Sequence, residues 1–554
     1  MLLSAKFSVT SFIESAPIES IRASYWHMRE QSPAFGESAI AAALQAPRST
    51  MYVVKDKAGG IGVGIGGTLS HDSAPASGAW PLLGLLPPIY PEWLGDRSFN
   101  EEHGTRFPYV AGAMANGIAS TRMVIALAHS GCLAFFGAAG LSLKRVEAAI
   151  DELQAALDAS HLPWGVNLIH SPAEPENEAA MADLLLRKGV RCVEASAYLA
   201  LTPAVVRYAC SGLTRTANGV IERRNRVFAK VSRAEVARQF LQPPPAAILQ
   251  TLLDAGLLSS EEVALAAHLP LAEDITAESD SGGHTDNRPL GALLPSLAAL
   301  RDQICRERAY PRPIRIGAAG GLGTPAAVAA AFALGAAYVQ TGSVNQACIE
   351  SGLDDRARLM LAQAQMSDVI MAPAADMFEM GVKVQVLRHG TLFAPRALKL
   401  YELYRSYPAL EAIPESERKK LEQNVLRASF TEAWAATRSF WLGRNPAQVA
   451  RAEADPKHLM ALVFRSYLGL SSRWAIDGVA SRSSDFQIWC GPAMGAFNSW
   501  VQHSFLSEPA QRTVVQVARN LLEGAACITR AQQLRSFGAP VPASAFDYRP
   551  RVLA

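Results

Sequence analysis

The sequence predicts an α/β fold in which eight parallel strands, each followed by a helix, close into a barrel with a helical insertion and a helical C-terminal region. Three observations favour this class. From about residue 107, short apolar runs alternate with alanine- and leucine-rich helical patterns, as in repeated βα units. There are eight such runs, the number that closes a barrel of the TIM type. That barrel needs about 250 residues, so a chain of 554 residues must carry large attachments.

The elements of the predicted barrel, residues 104–395, follow one another in a regular order. Helices are predicted at Ser120–Ser130, Leu143–Leu157, Asn177–Lys188, Pro203–Ala209, Ala234–Phe240 and Pro325–Leu334. Strands are predicted at Tyr109–Ala113, Leu133–Gly137, Trp164–Ile169, Cys192–Ala195, Val227–Val231, Ile275–Ser279, Ile314–Gly317 and Ala337–Thr341.

Three regions fall outside this alternation. Residues 1–103 form an N-terminal region to which the sequence assigns no role, and their segment Gly59–Gly67 favours a hairpin or loop over a phosphate loop. Residues 242–270, with three consecutive prolines, predict a helical hairpin inserted between strands five and six. Residues 396–554 are predicted to be a helical domain that contains five of the nine tryptophans. We expect that domain to cover the barrel mouth or to receive a partner protein.

The composition is that of a folded protein with balanced charge. With 49% hydrophobic and 18% charged residues the chain is not intrinsically disordered. Lys plus Arg is 52 and Asp plus Glu is 50, a net charge of +2 that argues against a dedicated nucleic-acid binder. None of the seven cysteines forms a C-x-x-C pair, which indicates reduced thiols. Without a signal-peptide pattern or a long apolar run, we expect a cytoplasmic protein that does not bind membranes.

A glycine-rich segment, Gly317–Pro325, follows strand seven and opens a helix. Closely spaced glycines let backbone N–H groups approach an anion, and a helix N-terminus favours negative charge. The segment also fits the dinucleotide-binding fingerprint, which requires an acidic residue about 20 positions later, at the end of the next strand. No carboxylate follows before Glu350, and six strands precede the segment. The dinucleotide hypothesis therefore fails.

A barrel explains the same glycines better. Barrels frequently bind phosphate between the loops that follow strands seven and eight. Gly320 and Gly321 follow strand seven, and Gly342 and Ser343 follow strand eight. Because these loops contain no lysine, we predict that backbone amides hold a phosphate monoester such as that of flavin mononucleotide (FMN). The alternative is that the glycines serve tight turns only.

A histidine stands where barrels keep their active sites. His284 follows Gly282 and Gly283 after strand six, and the glycines let the backbone run close to a planar ligand. An imidazole titrates near neutral pH and can donate or accept a proton. We predict that His284 is catalytic and that Gly283 contacts the cofactor; a purely structural histidine is the alternative.

Other strand ends supply further candidates for a flavin site. Lys230 ends strand five, where its cation could stabilise the electron-rich edge of a reduced flavin. The alternative is a lysine whose stem packs on apolar surface while its ammonium reaches water. Asn167 offers an amide at the end of strand three, and Ala113 and Met114 offer backbone contacts to the flavin ring at the end of strand one.

These segments together resemble a known family. Gly165–Leu168, Glu278–His284 and Val339–Ser343, with the glycines after strand seven, are similar to the barrel of nitronate monooxygenases and flavin-dependent enoyl reductases. Longer stretches resemble the PfaD-type trans-acting enoyl reductases of polyunsaturated fatty acid and polyketide synthases. They are Tyr109–Ser120, Phe135–Gly140, Asp280–Arg288, Thr341–Gln346, Asp376–Glu379 and Ile488–Asn498.

The resemblance implies an FMN-bound barrel that uses NADPH to reduce the double bond of an enoyl thioester on an acyl carrier protein. His284 would protonate the α-carbon or orient the thioester carbonyl. The segment from Glu278 to His284 is two residues longer than in smaller relatives, so neither Glu278 nor Asp280 receives a role. Expected partners are the carrier protein and a synthase complex, with a homodimer left open. The alternatives are a nitronate monooxygenase and a flavin-binding synthase subunit without activity.

Overall fold

The computed structural model describes residues 24–71, 78–172 and 174–553, and the chain forms two compact units. Of the described residues, the N-terminal unit holds those up to Ile89 together with Cys527–Tyr548, and the barrel unit holds those from Tyr90 to Ala526 and from Arg549 onward. These limits differ from the predicted domains, because the segment Cys527–Tyr548 was expected in the C-terminal domain. It belongs with the N-terminal unit because its apolar side chains, including Ala531 and Leu534, share a buried core with Ile40 and Val53.

The N-terminal unit contains an antiparallel sheet that the sequence did not predict. Its five strands lie in the order β3-β2-β5-β1-β4. The Gly59–Gly67 segment lies largely in a hairpin formed by β2 and β3, whose turn is fixed by a 2.7 Å hydrogen bond from the Gly60 amide to the Asp56 carboxylate. The elements are β1 (Tyr25–His27), α1 (Glu37–Ala43), β2 (Met51–Lys55), β3 (Ile61–Ile65), β4 (Thr68–Ser70) and β5 (Ala79–Leu86).

The barrel unit confirms the predicted fold class. Eight of its strands, β6 to β9, β12, β13, β15 and β16, pair in parallel and close into a barrel, and each overlaps a predicted strand. Their residues are almost all buried, as in sheets covered on both faces. The strands are β6 (Tyr109–Ala111), β7 (Leu133–Phe136), β8 (Gly165–Ile169), β9 (Cys192–Ser196), β10 (Thr214–Arg215), β11 (Ile221–Glu222), β12 (Arg226–Val231), β13 (Asp274–Glu278), β14 (Gly283–His284), β15 (Arg315–Ala319), β16 (Val339–Thr341), β17 (Val369–Pro373) and β18 (Lys383–Leu387).

Several helices around the barrel begin at a residue whose side chain caps the first turn. The hydroxyls of Ser120, Ser142 and Thr324 each accept a hydrogen bond from a backbone N–H of the first turn. Two helices, α8 and α9, occupy the predicted insertion. The helices are α2 (Arg97–His103), α3 (Thr121–His129), α4 (Leu143–Leu157), α5 (Pro175–Arg187), α6 (Pro203–Cys210), α7 (Ala234–Leu241), α8 (Ala246–Asp254), α9 (Ser260–Ala266), α10 (Leu290–Arg308), α11 (Pro325–Ala333), α12 (Ser343–Gln346) and α13 (Asp355–Ala362).

The chain after the last barrel strand is mainly helical, as predicted, but its first elements are the strands β17 and β18 of a small sheet. β14, β18 and β17 form a three-stranded antiparallel sheet, in which His284 pairs with Val384. In the part of the chain that the structure describes, no helix is long and apolar enough to cross a bilayer. The later helices are α14 (Phe393–Ser406), α15 (Glu415–Leu421), α16 (Phe430–Arg444), α17 (Pro446–Ala454), α18 (Pro456–Asp477), α19 (Ala493–Val501) and α20 (Val514–Ser536), the last of which continues into the N-terminal unit.

Candidate active site

One cavity of about 770 Å³ lies at the carboxyl ends of the barrel strands. Parallel strands end at the same edge of a barrel, so residues that follow different strands meet there. The structure brings all the residues predicted for the site into the lining of this cavity. They are Ala113, Met114, Asn167, Lys230, Gly283, His284, Gly320, Gly321, Gly342 and Ser343.

The glycines of the two loops differ in backbone conformation and in the space beside their Cα atoms. Gly320 and Gly321 have φ values of 86° and 71°, a region that favours glycine. A Cβ on Gly320 would lie 2.5 Å from the Ser279 hydroxyl, so Gly320 also allows close packing. A Cβ on Gly321 or on Gly342 would meet no atom within 4 Å. Both of these glycines therefore face open space in the cavity.

His284 forms an ion pair that the sequence did not predict. Its Nε2 lies 3.1 Å from Oδ2 of Asp376, which follows β17. Burial lowers the pKa of His284, but the hydrogen bond and charge of Asp376, together with Glu278, raise it above its usual value. Burial raises the pKa of Asp376, yet His284 brings it below its usual value. The pairing therefore favours a protonated imidazole beside an ionised carboxylate.

Lys230 is held by carboxylates at the floor of the cavity. Its Nζ lies 3.1 Å from Oε1 of Glu278, at the end of β13. Burial lowers the pKa of Lys230, but Glu278 and the buried Glu194 raise it to about 12. Burial raises the pKa of Glu194, against the effect of Lys230. The lysine is therefore a fixed positive charge inside the cavity. Glu278, to which the sequence assigned no role, is the residue that pairs with it.

Glu194, on β9, connects this strand to β8, to β16 and to the segment that follows β6. Its Oε1 accepts a hydrogen bond of 2.7 Å from Gln340, and its Oε2 accepts bonds of 3.2 Å from the Ala113 amide and the Ser196 hydroxyl. Asn167 donates to the Glu194 carbonyl and to the Ser196 hydroxyl at 3.0 and 3.1 Å. Glu194 and Gln340 were not among the residues predicted from the sequence, although each is a charged or amide side chain within an apolar strand, the same signal that indicated Lys230.

Helices of the C-terminal region contribute to the lining, and most of these residues lie on two of them. Side chains of α16 and α18 line the cavity. Arg465 on α18 donates to the Ala375 carbonyl at 2.8 Å and to Oε1 of Glu379 at 3.2 Å. Ser472 on the same helix accepts a bond of 3.3 Å from Asn116. These bonds connect α18 to the loop that carries Asp376 and to the loop after β6.

Two family models match the chain. One, described as nitronate monooxygenase, matches residues 98–446. The other, described as the inserted helical domain of acyl-carrier-protein S-malonyltransferase, matches residues 407–486, which include α16 and α18. The first covers the whole barrel, and the second covers the helices that line the upper part of the cavity.

Curated relatives are similar to most of the chain. The chain is 47% identical over 450 residues to a subunit of the polyunsaturated fatty acid synthase of Thraustochytrium sp., covering 80% of this chain and 30% of that protein. It is 43% identical over 434 residues to the polyketide biosynthesis protein PksE of Bacillus subtilis, covering 78% of this chain and 56% of that protein. The chain thus spans between about a third and about half of the length of these curated relatives.

A solved structure is similar in sequence and in fold. The crystal structure of the enoyl reductase domain of MlnA, from the macrolactin biosynthesis cluster of Bacillus amyloliquefaciens, superposes with a TM-score of 0.77 at 36% identity. The similarity covers 80% of this chain and 99% of that chain. Because the barrel model also matches more than half of the sequence, this chain belongs to the nitronate monooxygenase family, a family of flavin-dependent oxidoreductases.

Proposed function

We propose that this protein is an FMN-dependent enoyl reductase that acts in trans on enoyl thioesters of an acyl carrier protein, with NADPH as reductant, in polyketide or polyunsaturated fatty acid biosynthesis. The observation that carries the proposal is the likeness to the MlnA enoyl reductase domain, 99% of which is covered at 36% identity. The curated relatives are named for polyunsaturated fatty acid and polyketide biosynthesis. In addition, the helices that line the upper cavity resemble a domain of an enzyme named for acyl carrier protein.

The residues present fit FMN. The loops of Gly321 and Gly342 leave open the space that a side chain would fill, and that space suits a phosphate held by backbone amides. Gln346 lines the cavity, and its buried Oε1 has no hydrogen-bond partner among the described residues. A bound ligand with a donor would satisfy that oxygen. When bound, FMN would supply the hydride that is added to the β-carbon of the substrate.

His284 has the position and the charge of a general acid in this proposal. In the protonated ring, Nε2–H donates a hydrogen bond to Asp376 at 3.1 Å. The proton on Nδ1 would then be the one available to the substrate. The raised pKa favours the protonated form of the ring. The imidazolium would donate that proton to the α-carbon, while Lys230 adds a second positive charge to the same cavity.

An anaerobic two-step experiment tests the function. The purified protein is reconstituted with FMN, mixed with NADPH and then with an enoyl-pantetheine, while the absorbance of the flavin is followed. We expect bleaching by NADPH and recovery on addition of the enoyl thioester. Bleaching without recovery would contradict the proposal.

The family name supports a second candidate function, nitronate monooxygenase. That activity would appear as oxygen-dependent turnover of alkyl nitronates in the absence of NADPH. A third possibility is a flavin-binding synthase subunit without activity, which would retain FMN and fail both assays.

The substitution His284→Ala tests the proposed acid. We expect the protein to keep its flavin, while the recovery of flavin absorbance on addition of the enoyl thioester slows by about a hundredfold or more, the usual effect of losing a general acid. His389→Ala is the matched control, because His389 is exposed and does not line the cavity. Full activity of His284→Ala would remove this residue from the mechanism.

A further inference from the structure

The upper wall of the cavity is formed by one face of each of two helices. On α16 the lining residues recur at the spacing of a single helical face, and so do those on α18. Those on α16 are Ala436, Thr437, Phe440, Trp441 and Arg444, and those on α18 are Arg465, Ser466, Gly469, Leu470, Ser472 and Arg473.

This wall exposes large apolar side chains. Phe440 is 56% exposed and Leu470 is 47% exposed, although both line the cavity. Large apolar surface that remains open on the wall of a concave site is typical of a site that binds an apolar ligand. A small polar substrate would leave this surface uncovered.

Gly469 lies on the same wall of the cavity, next to Leu470 in α18. It lies in the interior of α18, where glycine weakens a helix relative to other residues. A Cβ at this position would meet no atom within 4 Å. No neighbouring atom therefore requires a glycine here, and its effect is to leave this part of the cavity free of side chain.

The upper wall is joined to the catalytic end of the cavity. Arg465, on α18, donates at 2.8 Å to the carbonyl of Ala375, the residue before Asp376. Since Asp376 pairs with His284, a ligand that reaches His284 and extends along α18 remains within one continuous cavity.

We propose that the acyl chain of the enoyl thioester lies against Phe440 and Leu470, and that Gly469 determines how long or bulky an acyl chain the site accepts. This inference rests on the proposed function, which supplies an extended apolar ligand whose reacting carbons must reach His284. The substitution Gly469→Leu would fill the space that the chain needs and leave the lower cavity open for short substrates.

The test uses the FMN-loaded full chain and two pairs of pantetheine thioesters, with four-carbon and twelve-carbon acyl groups. For the trans-2-enoyl pair, kcat/KM is measured in the wild-type protein and in Gly469→Leu. We expect the variant to lose about tenfold or more on the twelve-carbon substrate relative to the four-carbon one, since even one methylene in an apolar site discriminates by about tenfold or more. Gly443→Leu is the matched control, because Gly443 on α16 also has open space beside it but does not line the cavity.

Calorimetric binding of the saturated pair is a second measurement that does not depend on chemistry. The wild-type protein and Gly443→Leu should bind the twelve-carbon thioester more tightly than the four-carbon one, and Gly469→Leu should lose that preference. An unchanged preference in Gly469→Leu would overturn the inference. If Gly469→Leu bound the four-carbon and the twelve-carbon thioesters more weakly by the same factor, the inference would also be overturned, because the helices would then hold the pantetheine arm. If no enoyl thioester is reduced by the wild-type protein, the proposed function fails, while the binding data still decide whether the wall accepts an acyl chain.

Discussion

At the scale of single residues, the ion pair between His284 and Asp376 should control how the proposed activity depends on pH. The two side chains lie 3.1 Å apart, and each changes the pKa of the other in the direction that favours the charged pair. A general acid must be protonated, so activity should be full below the pKa of His284 and should fall as the pH rises through it.

Substitution of Asp376 by Asn should shift the loss of activity, which accompanies deprotonation of His284, to lower pH. Asparagine keeps the size of the side chain but removes the charge that raises the pKa of His284. The measurement is the pH dependence of flavin recovery in a single turnover with enoyl-pantetheine. Asp151→Asn serves as control, since it removes an exposed carboxylate that pairs with Lys188. An identical pH profile in Asp376→Asn and the wild-type protein would contradict the prediction.

The loop glycines allow a second prediction at the scale of single residues. Gly342 has a φ of −131°, which other residues adopt, and its side is open to the cavity. Gly342→Val should therefore fold but should bind FMN about tenfold or more weakly, as expected from an overpacking cost of about 1–3 kcal/mol. The dissociation constant of FMN can be measured by flavin fluorescence. Gly291→Val on α10 should bind normally, because Gly291 also has open space beside it and lies outside the cavity lining. Unchanged affinity of Gly342→Val would place the phosphate elsewhere.

At the scale of elements, the barrel has a charged network at the amino ends of its strands. Asp274 begins β13, and both its oxygens accept hydrogen bonds, at 2.6 and 2.7 Å, from Arg315 at the beginning of β15. His103 at the end of α2 contacts the same carboxylate at 2.9 Å. Burial raises the pKa of Asp274, but His103 and Arg315 hold it well below its usual range. The network therefore connects two strands and a helix at the end opposite to the cavity.

Removal of one partner of this buried pair should destabilise the barrel. Arg315→Met leaves the carboxylate of Asp274 buried without its main partner, which should lower the free energy of unfolding by about 3–5 kcal/mol at neutral pH. The lowered pKa of Asp274 gives a stabilisation that is present above the unfolded pKa of about 3.9 and is lost as the pH falls further. The difference between variant and wild type should therefore shrink in acid. Urea unfolding at several pH values measures both effects.

Arg106→Met is the matched control for Arg315→Met. It breaks an ion pair between Arg106 and Glu92 in which the arginine side chain is 57% exposed. Exposed pairs contribute about 0–1 kcal/mol. If Arg315→Met cost no more than Arg106→Met, the network would not be what stabilises this end of the barrel.

At the scale of the whole molecule, the last part of the chain returns to complete the N-terminal unit. Leu534 and Ala531 from the C-terminal segment are buried in the same core as Ile40 and Val53. The folding of residues near the beginning of the chain therefore depends on residues near its end. No local pattern in residues 1–103 could have indicated this arrangement, because the residues that complete the core lie several hundred positions away.

The substitution Leu534→Ala tests this dependence. Leu534 is fully buried, so truncation should cost about 2–5 kcal/mol of local stability. We expect faster amide hydrogen exchange in β2 and β3, whose residues pack in the same core. Leu334→Ala is the control, since Leu334 is 40% exposed and follows α11 in the barrel unit. Unchanged exchange in β2 and β3 would contradict the shared core.

Local patterns in the sequence were enough to predict the eight strands of the barrel, although the predicted ends of the first and seventh strands lie two residues from those of β6 and β15. The eight apolar strands and their helices depend on the periodicity and capping of neighbouring residues, and the glycine loops, His284 and Lys230 follow directly from those strand ends. The small sheet of β14, β17 and β18 was missed because its pairing joins distant segments and β18 contains Lys383 and Gln385. These polar residues interrupt the continuous apolar run that would have indicated a buried strand.

The sequence by itself therefore determined the fold class and the edge of the barrel where the cavity lies, and it named ten of the residues that line that cavity. Only the tertiary structure decided which charges pair inside that cavity. Asp376 reaches His284 across 92 positions, and Gln340 reaches Glu194 across 146. The tertiary structure also decided that α16 and α18 form the upper wall. Periodicity reports which residues share a face of one element, whereas pairing between elements depends on how the whole chain closes, and that closure leaves no local signal.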